Sequence, residues 1–199
     1  LIAGCHERGM RIILDLVVNH TSAEHEWFRR AVADPDGPYG RYYFLVEGTP
    51  DAPPNNWLSF FSGSAWRWLP EIERWALHLF APGQMDLRWD TPAVRREVAD
   101  IVAWWLDRGI DGFRLDVINY ISKPEGLPDG NAFVGQLMEF TGVETYFYGP
   151  RLGEFLEGLR RDGFTRRTAP ASTPRRRLPD GTLGDPLPPD EVGVMVGET

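Results

Sequence analysis

The chain has 199 residues, 42% hydrophobic and 13% aromatic, which is apolar material enough for one ordinary domain, or one domain with a large insertion, and excludes a disordered chain. Its 21 basic and 29 acidic residues leave a net charge of −8, which argues against nucleic acid or an anionic membrane surface as the main partner and favours a neutral small molecule. One cysteine, Cys5, cannot form an internal disulfide, the four histidines show no metal-ligand spacing, and no apolar run approaches the roughly 20 residues of a membrane helix. The expectation is a protein without metal, of a reducing, cytoplasmic compartment, with no leader pattern at its amino terminus.

Leu1 to Arg8 reads as a helix end closed by Gly9. Met10 to Val18 is a near-continuous apolar run of the kind found in parallel strands buried on both faces, and it ends on Asn19, His20 and Thr21. Polar groups at the carboxyl end of such a strand are where α/β folds place binding chemistry. Asp15 and Asn19 read as hydrogen-bonded braces for the following loop, whereas His20 reads equally well as brace or ligand contact. From about Ser22 to Pro82 no long amphipathic helix is expected, yet Trp27, Trp57, Trp66, Trp68 and Trp75 lie there. That is too long for a bare loop and aromatic enough for a core of its own, so 22–82 reads as a small inserted domain, most of its aromatics core and the rest free to stack on a ligand. Alternation from Arg74 to Phe80 predicts a strand.

Thr91 as N-cap, Pro92 in the first turn, and Val94, Val98, Ile101, Val102 and Trp105 at helical spacing predict a helix ended by Gly109. The next strand, Ile110 to Val117, carries Arg114 and Asp116 two apart, hence on one face. A guanidinium beside a carboxylate keeps it ionised and fixes its direction, which suits a nucleophile or charge stabiliser and equally a structural ion pair. A Gly- and Pro-rich loop over 122–149 holds a possible helix at 132–140, and Leu152 to Leu159 predicts a second crossover helix. Seven arginines and six prolines with little apolar content make 160–191 read as an exposed, mobile loop. A final strand, Val192 to Gly197, runs into Glu198.

Three successive strands therefore end in polar groups: His20, then Arg114 with Asp116, then Glu198. Strands of a (β/α) barrel converge at that end, so these side chains can meet around one substrate. Two carboxylates in one pocket serve a retaining glycosidase, one ionised to attack the anomeric carbon and one protonated to release the leaving oxygen, roughly 5 to 5.5 Å apart. Asp116 beside Arg114 suits the first role, and Glu198, with no basic neighbour in sequence, the second.

DLVVNH (Asp15 to His20), GFRLDVINYI (Gly112 to Ile121) and VGET (Val196 to Thr199) resemble, in order, three motifs of the α-amylase family of glycoside hydrolases. NHTSAEHEWF (Asn19 to Phe28), FSGSAW (Phe61 to Trp66), LHLF (Leu77 to Phe80) and QMDLRWD (Gln84 to Asp90) resemble its oligo-1,6-glucosidase and α-glucosidase branch. The likeness runs from residue 1 to about 160 and resumes near 192. It implies an α/β fold that is part of a (β/α)8 TIM barrel, about strands 3 to 5: barrel at 1–21, inserted domain at 22–82, barrel again at 83–199. It further implies Asp116 as nucleophile, Glu198 as acid/base, Arg114 orienting Asp116, and His20 hydrogen-bonding the sugar beside the cleaved bond. Phe61, Phe80 and Gln84 would wall the pocket, and Val117 after the nucleophile resembles α-1,6-acting members. The implied partner is a short oligosaccharide, with no cofactor, no nucleic acid and no membrane.

The chain departs from the family pattern at Met85 and Arg88, where Pro and Asn are usual, and in the length of 160–191. The fourth motif, which supplies a third carboxylate, is not among these residues, and a whole barrel takes about 250 residues. The sequence thus reads as part of a catalytic domain. A transglycosylase or isomerase of the trehalose synthase or sucrose isomerase type is the alternative with the same residues. A non-catalytic amylase-like accessory protein is the alternative of another class.

Overall fold

A computed structural model describes residues 1–138, 140–164, 175–186 and 194–197. In chain order the helices and strands are α1 (Ile2–Glu7), β1 (Ile13–Val17), β2 (His20–Ser22), α2 (Glu26–Ala33), β3 (Leu45–Glu47), β4 (Trp66–Leu69), β5 (Arg74–Leu77), β6 (Gln84–Asp86), α3 (Pro92–Asp107), β7 (Gly112–Asp116), α4 (Ala132–Met138), α5 (Val143–Tyr146), α6 (Leu152–Leu159), β8 (Arg175–Arg177), β9 (Leu183–Pro186) and β10 (Val194–Gly197). They fall into two compact units, Leu1–Leu16 with Arg95–Asp116 and Glu154–Thr199, and Val17–Val94 with Val117–Gly153. The stretch 22–82 lies within the second.

The first unit is built on a sheet of order β1-β7-β10. β10 runs parallel to β7, pairing Val194 with Gly112, Met195 with Phe113, Val196 with Arg114 and Gly197 with Leu115. Along β7, Phe113 and Leu115 are buried and Arg114 and Asp116 half-buried, the alternation of a pleated strand whose other face is polar. The expectation that the first strand is buried on both faces is corrected: Ile13 and Val17 remain 45% and 46% exposed, because they share with Asp15 the open face of the pleat, while Leu16 on the other face is buried. Helix α3 buries Val98, Ala99, Val102, Ala103 and Leu106. Ile101, expected in that stripe, is exposed because the small Ala99 and Ala103 take the core side.

The Arg/Pro stretch is also corrected in part. Its start, Arg160–Phe164, is a π-helical turn with Gly163 and Phe164 buried. The Phe164 ring stands edge-on to Phe113 at 5.8 Å, and a Cβ on Gly163 would sit 3.1 Å from Val102 Cγ1, so the glycine permits the close approach. Further on, β8 and β9 form an antiparallel hairpin whose turn is closed by Thr182, its backbone N–H and hydroxyl both donating to Asp180 Oδ1 at 2.9 and 2.6 Å. The mobility expected for 165–174 and 187–191 lies outside the described residues.

The second unit holds a two-stranded antiparallel ribbon, β2 with β6, and a three-stranded sheet of order β3-β5-β4. Its core gathers Phe44, Trp57, Trp66, Trp75, Leu77, Leu79, Val143 and Tyr146. The buried tryptophans satisfy their indole N–H groups, Trp57 on Pro128 O at 2.9 Å, Trp66 on Asn55 Oδ1 at 2.7 Å and Trp75 on Thr49 O at 3.0 Å. Within 22–82 the structure adds α2, capped by His25 Nδ1 accepting from Trp27 N–H at 3.2 Å. It buries Phe28 and Ala31, with Trp27 and Val32 half-buried beside them at helical spacing.

Candidate functional site

The expected site residues divide between the units. The first carries Arg114 and Asp116; the second carries His20, Phe61, Phe80, Gln84 and Val117. Glu198 lies outside the described residues.

On β7 the Arg114 guanidinium lies 3.3 Å from Asp116 Oδ1 and 3.2 Å from Asp15 Oδ1 of β1. Asp15, read from sequence as a loop brace, is thus a second anion on the same arginine, brought there because neighbouring strands place their residues side by side. Asp116 is partly shielded, with its side chain 27% exposed. A guanidinium on one oxygen of a carboxylate fixes the direction of the group, which is what a nucleophile needs. Directly after it, Val117 adopts φ 43°, ψ 35°, the left-handed region, which a β-branched residue enters at a cost of about 1–3 kcal/mol. The chain there turns from β7 into the short helical turn Ile118–Tyr120.

In the second unit, the β2–β6 ribbon sets His20 opposite Asp86 and Ser22 opposite Gln84. Gln84 Nε2 lies 2.8 Å from His20 Nε2, and the Phe80 ring 5.3 Å from the imidazole. Phe60 stacks on Phe80 at 5.2 Å, and Tyr120 meets it edge-on at 6.0 Å. His20, Phe80 and Gln84 therefore form one cluster. Phe61 stands 6.2 Å from Phe80 and is 64% exposed, a rim residue with a bare aromatic face.

Beneath His20 lies a network that sequence reading missed. Lys123, fully out of water, places Nζ 2.5 Å from Asp86 Oδ2 and donates to Asn19 Oδ1 at 2.9 Å. Asn19 Nδ2 donates to Asp86 Oδ2 at 3.1 Å, and Leu79 N–H donates to Asp86 Oδ1 at 3.0 Å. Burial pushes the Lys123 ammonium below its ordinary range, opposed by the charge of Asp86 and its hydrogen bond. Asp86 stood inside the QMDLRWD motif, but a lysine in a Pro/Gly turn carries no periodic signal of burial. In the first unit, His6 Nε2 and Asp111 Oδ2 make a similarly buried contact at 2.9 Å, and that carboxylate also accepts from Ile12 N–H at 2.7 Å. This pair clasps the start of β1.

The two residues that depart from the family pattern fit their places. Met85 is buried in β6, and Arg88 lays its guanidinium 5.0 Å over the Phe44 ring. Arg88, Phe44, Lys123 and Arg151 line a cleft of about 570 Å³ that contains none of the expected site residues. Among the described residues no three of His, Cys, Asp and Glu are grouped to hold a metal ion, and no helix is long and apolar enough to cross a membrane.

The first unit thus carries an arginine-held carboxylate on a parallel strand, and the second a His/Gln/Phe cluster. The family model "Alpha amylase, catalytic domain" matches residues 1–171, and the chain belongs to that family. It is 48% identical over 167 residues to trehalose-6-phosphate hydrolase of Escherichia coli, covering 84% of this chain and 29% of that protein. To oligo-1,6-glucosidase of Parageobacillus thermoglucosidasius it is 48% identical over 157 residues, covering 79% and 28%. Among solved structures it resembles trehalose-6-phosphate hydrolase of Bacillus licheniformis, with TM-score 0.76, 41% identity and coverage of 86% and 31%. It also resembles trehalulose synthase of Pseudomonas mesoacidophila, with TM-score 0.77, 39% identity and coverage of 84% and 30%. The chain spans less than a third of the length of these relatives.

Proposed function

We propose that the protein carrying this chain is a retaining glycoside hydrolase of the α-glucosidase and oligo-1,6-glucosidase type, acting on α-glucosidic bonds of short oligosaccharides in the cytoplasm. On this reading β1, β7 and β10 are about the third to fifth strands of its barrel, and 22–82 is the insertion between the third strand and its helix. Asp116 attacks the anomeric carbon while Glu198 gives its proton to the departing oxygen. The glycosidic C–O bond breaks and a glucosyl ester on Asp116 forms. Glu198, now a carboxylate, takes a proton from water, whose oxygen attacks the same carbon and releases Asp116. Arg114 holds Asp116 ionised and aimed, and His20, Phe80, Gln84, Val117 and Phe61 bound the sugar.

The observation that carries this reading is the Arg114 guanidinium 3.3 Å from Asp116 Oδ1 at the carboxyl end of β7, in a sheet where β10 runs parallel to it. A cation so placed favours the ionised carboxylate and fixes its direction, as the attacking group of a retaining enzyme requires. The test is proton NMR of the first-formed product: α-glucose released from an α-glucoside supports the reading, and β-glucose overturns it. Val117 next to the nucleophile supports a preference for isomaltose over maltose, and Val117→Thr is expected to narrow that preference by an amount worth about 1–3 kcal/mol. Equal rates on the two disaccharides would remove that part.

A second reading is favoured by the likeness to trehalulose synthase, namely an isomerase or transglycosylase in which a sugar hydroxyl replaces water in the second step. Incubation with sucrose separates the two: free glucose and fructose mark hydrolysis, and an isomeric disaccharide marks transfer. The likeness to trehalose-6-phosphate hydrolase adds that phosphorylated disaccharide to the substrates to be assayed.

A further inference from the structure

Each ring nitrogen of His20 faces a side-chain amide whose orientation is locked by other groups. Gln84 Nε2 is 2.8 Å from His20 Nε2, and Gln84 Oε1 accepts from Ala81 N–H at 2.9 Å. Turning that amide round would set an NH2 group against a backbone N–H, so the nitrogen must face the histidine. Asn19 Nδ2 is 3.4 Å from His20 Nδ1. It is locked in turn, because Asn19 Oδ1 accepts from the Lys123 ammonium at 2.9 Å and Nδ2 donates to the Asp86 carboxylate at 3.1 Å. An ammonium has no lone pair to accept with and a carboxylate no proton to give, so the reversed amide finds neither partner.

An amide NH2 donates and does not accept. The short contact at Nε2 therefore requires a lone pair there, while the long contact at Nδ1, at the edge of hydrogen-bond distance, leaves room for a proton. An imidazolium would direct its Nε2–H at the Gln84 NH2 group at 2.8 Å, donor against donor. We infer that Gln84 is a positioning residue that holds His20 as a neutral imidazole protonated on Nδ1, so that toward a sugar His20 Nε2 accepts a hydrogen bond from a hydroxyl. When the hydroxyl takes that lone pair it replaces the Gln84 N–H, and the NH2 group, still oriented by Oε1 on Ala81 N–H, donates to a neighbouring sugar oxygen. No proton changes owner. The tautomer follows from the geometry alone; its use toward a sugar rests on the function proposed above.

The test is long-range proton–nitrogen correlation NMR on the 15N-labelled protein carrying this chain, at neutral pH, with His20→Gln identifying the signals by their loss. The expected pattern is an unprotonated-type Nε2 shift and a protonated-type Nδ1 shift, with Nε2 unchanged in type when D-glucose saturates the site. Gln84→Glu, which offers an acceptor, is expected to move a proton onto Nε2, and Gln84→Met to abolish the bias toward Nδ1. A protonated Nε2 in the unaltered protein, with or without glucose, overturns the inference, as does a pattern that neither Gln84 variant changes. The readout does not involve turnover, so a correct tautomer in a protein that cleaves no α-glucoside would discard the proposed function and keep the histidine assignment.

Discussion

Lys123 and Asp86 are each removed from water, and each is tolerable there because of the other. Lys123→Met strands the Asp86 charge and is expected to lower stability by about 3–5 kcal/mol in urea unfolding. Adding Asp86→Asn to that variant should recover part of the loss, since two apolar or neutral partners are cheaper to bury than one bare charge. Tyr146 offers the opposite case: its hydroxyl is buried and finds no hydrogen-bond partner among the described residues. Tyr146→Phe should therefore raise the urea midpoint, by an amount worth about 1 kcal/mol. Tyr43 makes stability depend on alkaline pH. Burial raises its phenol to about 12, partly offset by a hydrogen bond with Thr21 at 2.7 Å. In the unfolded chain it ionises near 10, so between about pH 10 and 12 the unfolded state binds fewer protons than the folded one. Stability should be unaffected by this group below that window and should fall by about 2–3 kcal/mol across it. Tyr43→Phe should flatten that slope in denaturant titrations at stepped pH.

At the scale of elements, the boundaries follow side-chain shape more than composition. Helix α5 starts at Gly142, with φ 97°, and a Cβ there would lie 2.3 Å from Trp57 Cδ1. Gly142→Ala combines a left-handed backbone with an overlap in the aromatic core, and is expected to cost about 1–3 kcal/mol from overpacking and about 1 kcal/mol more from the backbone. Circular dichroism during thermal unfolding would read this as a lowered Tm. Helix α3 was legible because cap, proline and period agree over 16 residues. Helix α2 was not, because its apolar residues Trp27, Phe28, Ala31 and Val32 span only eight residues, shorter than the roughly 11 to 18 over which a helical period is read. The strand β7 was legible with its two charged residues, but the partner Asp15 was not, since strand pairing is a long-range choice that local pattern does not encode.

For the whole molecule, the edges of the first unit's sheet carry the clearest consequence. Ile13 and Val17 on β1 and Val196 on β10 are about half exposed, β1 and β10 are the outer strands of this sheet among the described residues, and apolar strand edges of that kind associate. The 199-residue chain made alone is expected to elute as a mixture of associated species and to unfold over a broad urea range. A monomer by light scattering with one sharp transition would contradict this.

Residue order alone determined the succession of strand, aromatic-rich stretch, capped helix and strand, and the placing of Arg114 with Asp116 on one face. These depend on periods of two and 3.6 residues and on caps, all of which are local properties. It also carried the family likeness, because the motifs that hold His20, Asp116 and Glu198 are short and contiguous. Only the tertiary structure decided that Asp15 shares Arg114, that Val117 takes a left-handed turn, and that Lys123, Asp86 and Asn19 form a buried support behind His20. Those groups are separated by up to 104 positions in the chain. Their interaction exists because folding removes water from between them, and the strength of a charge or an amide then depends on what replaces it.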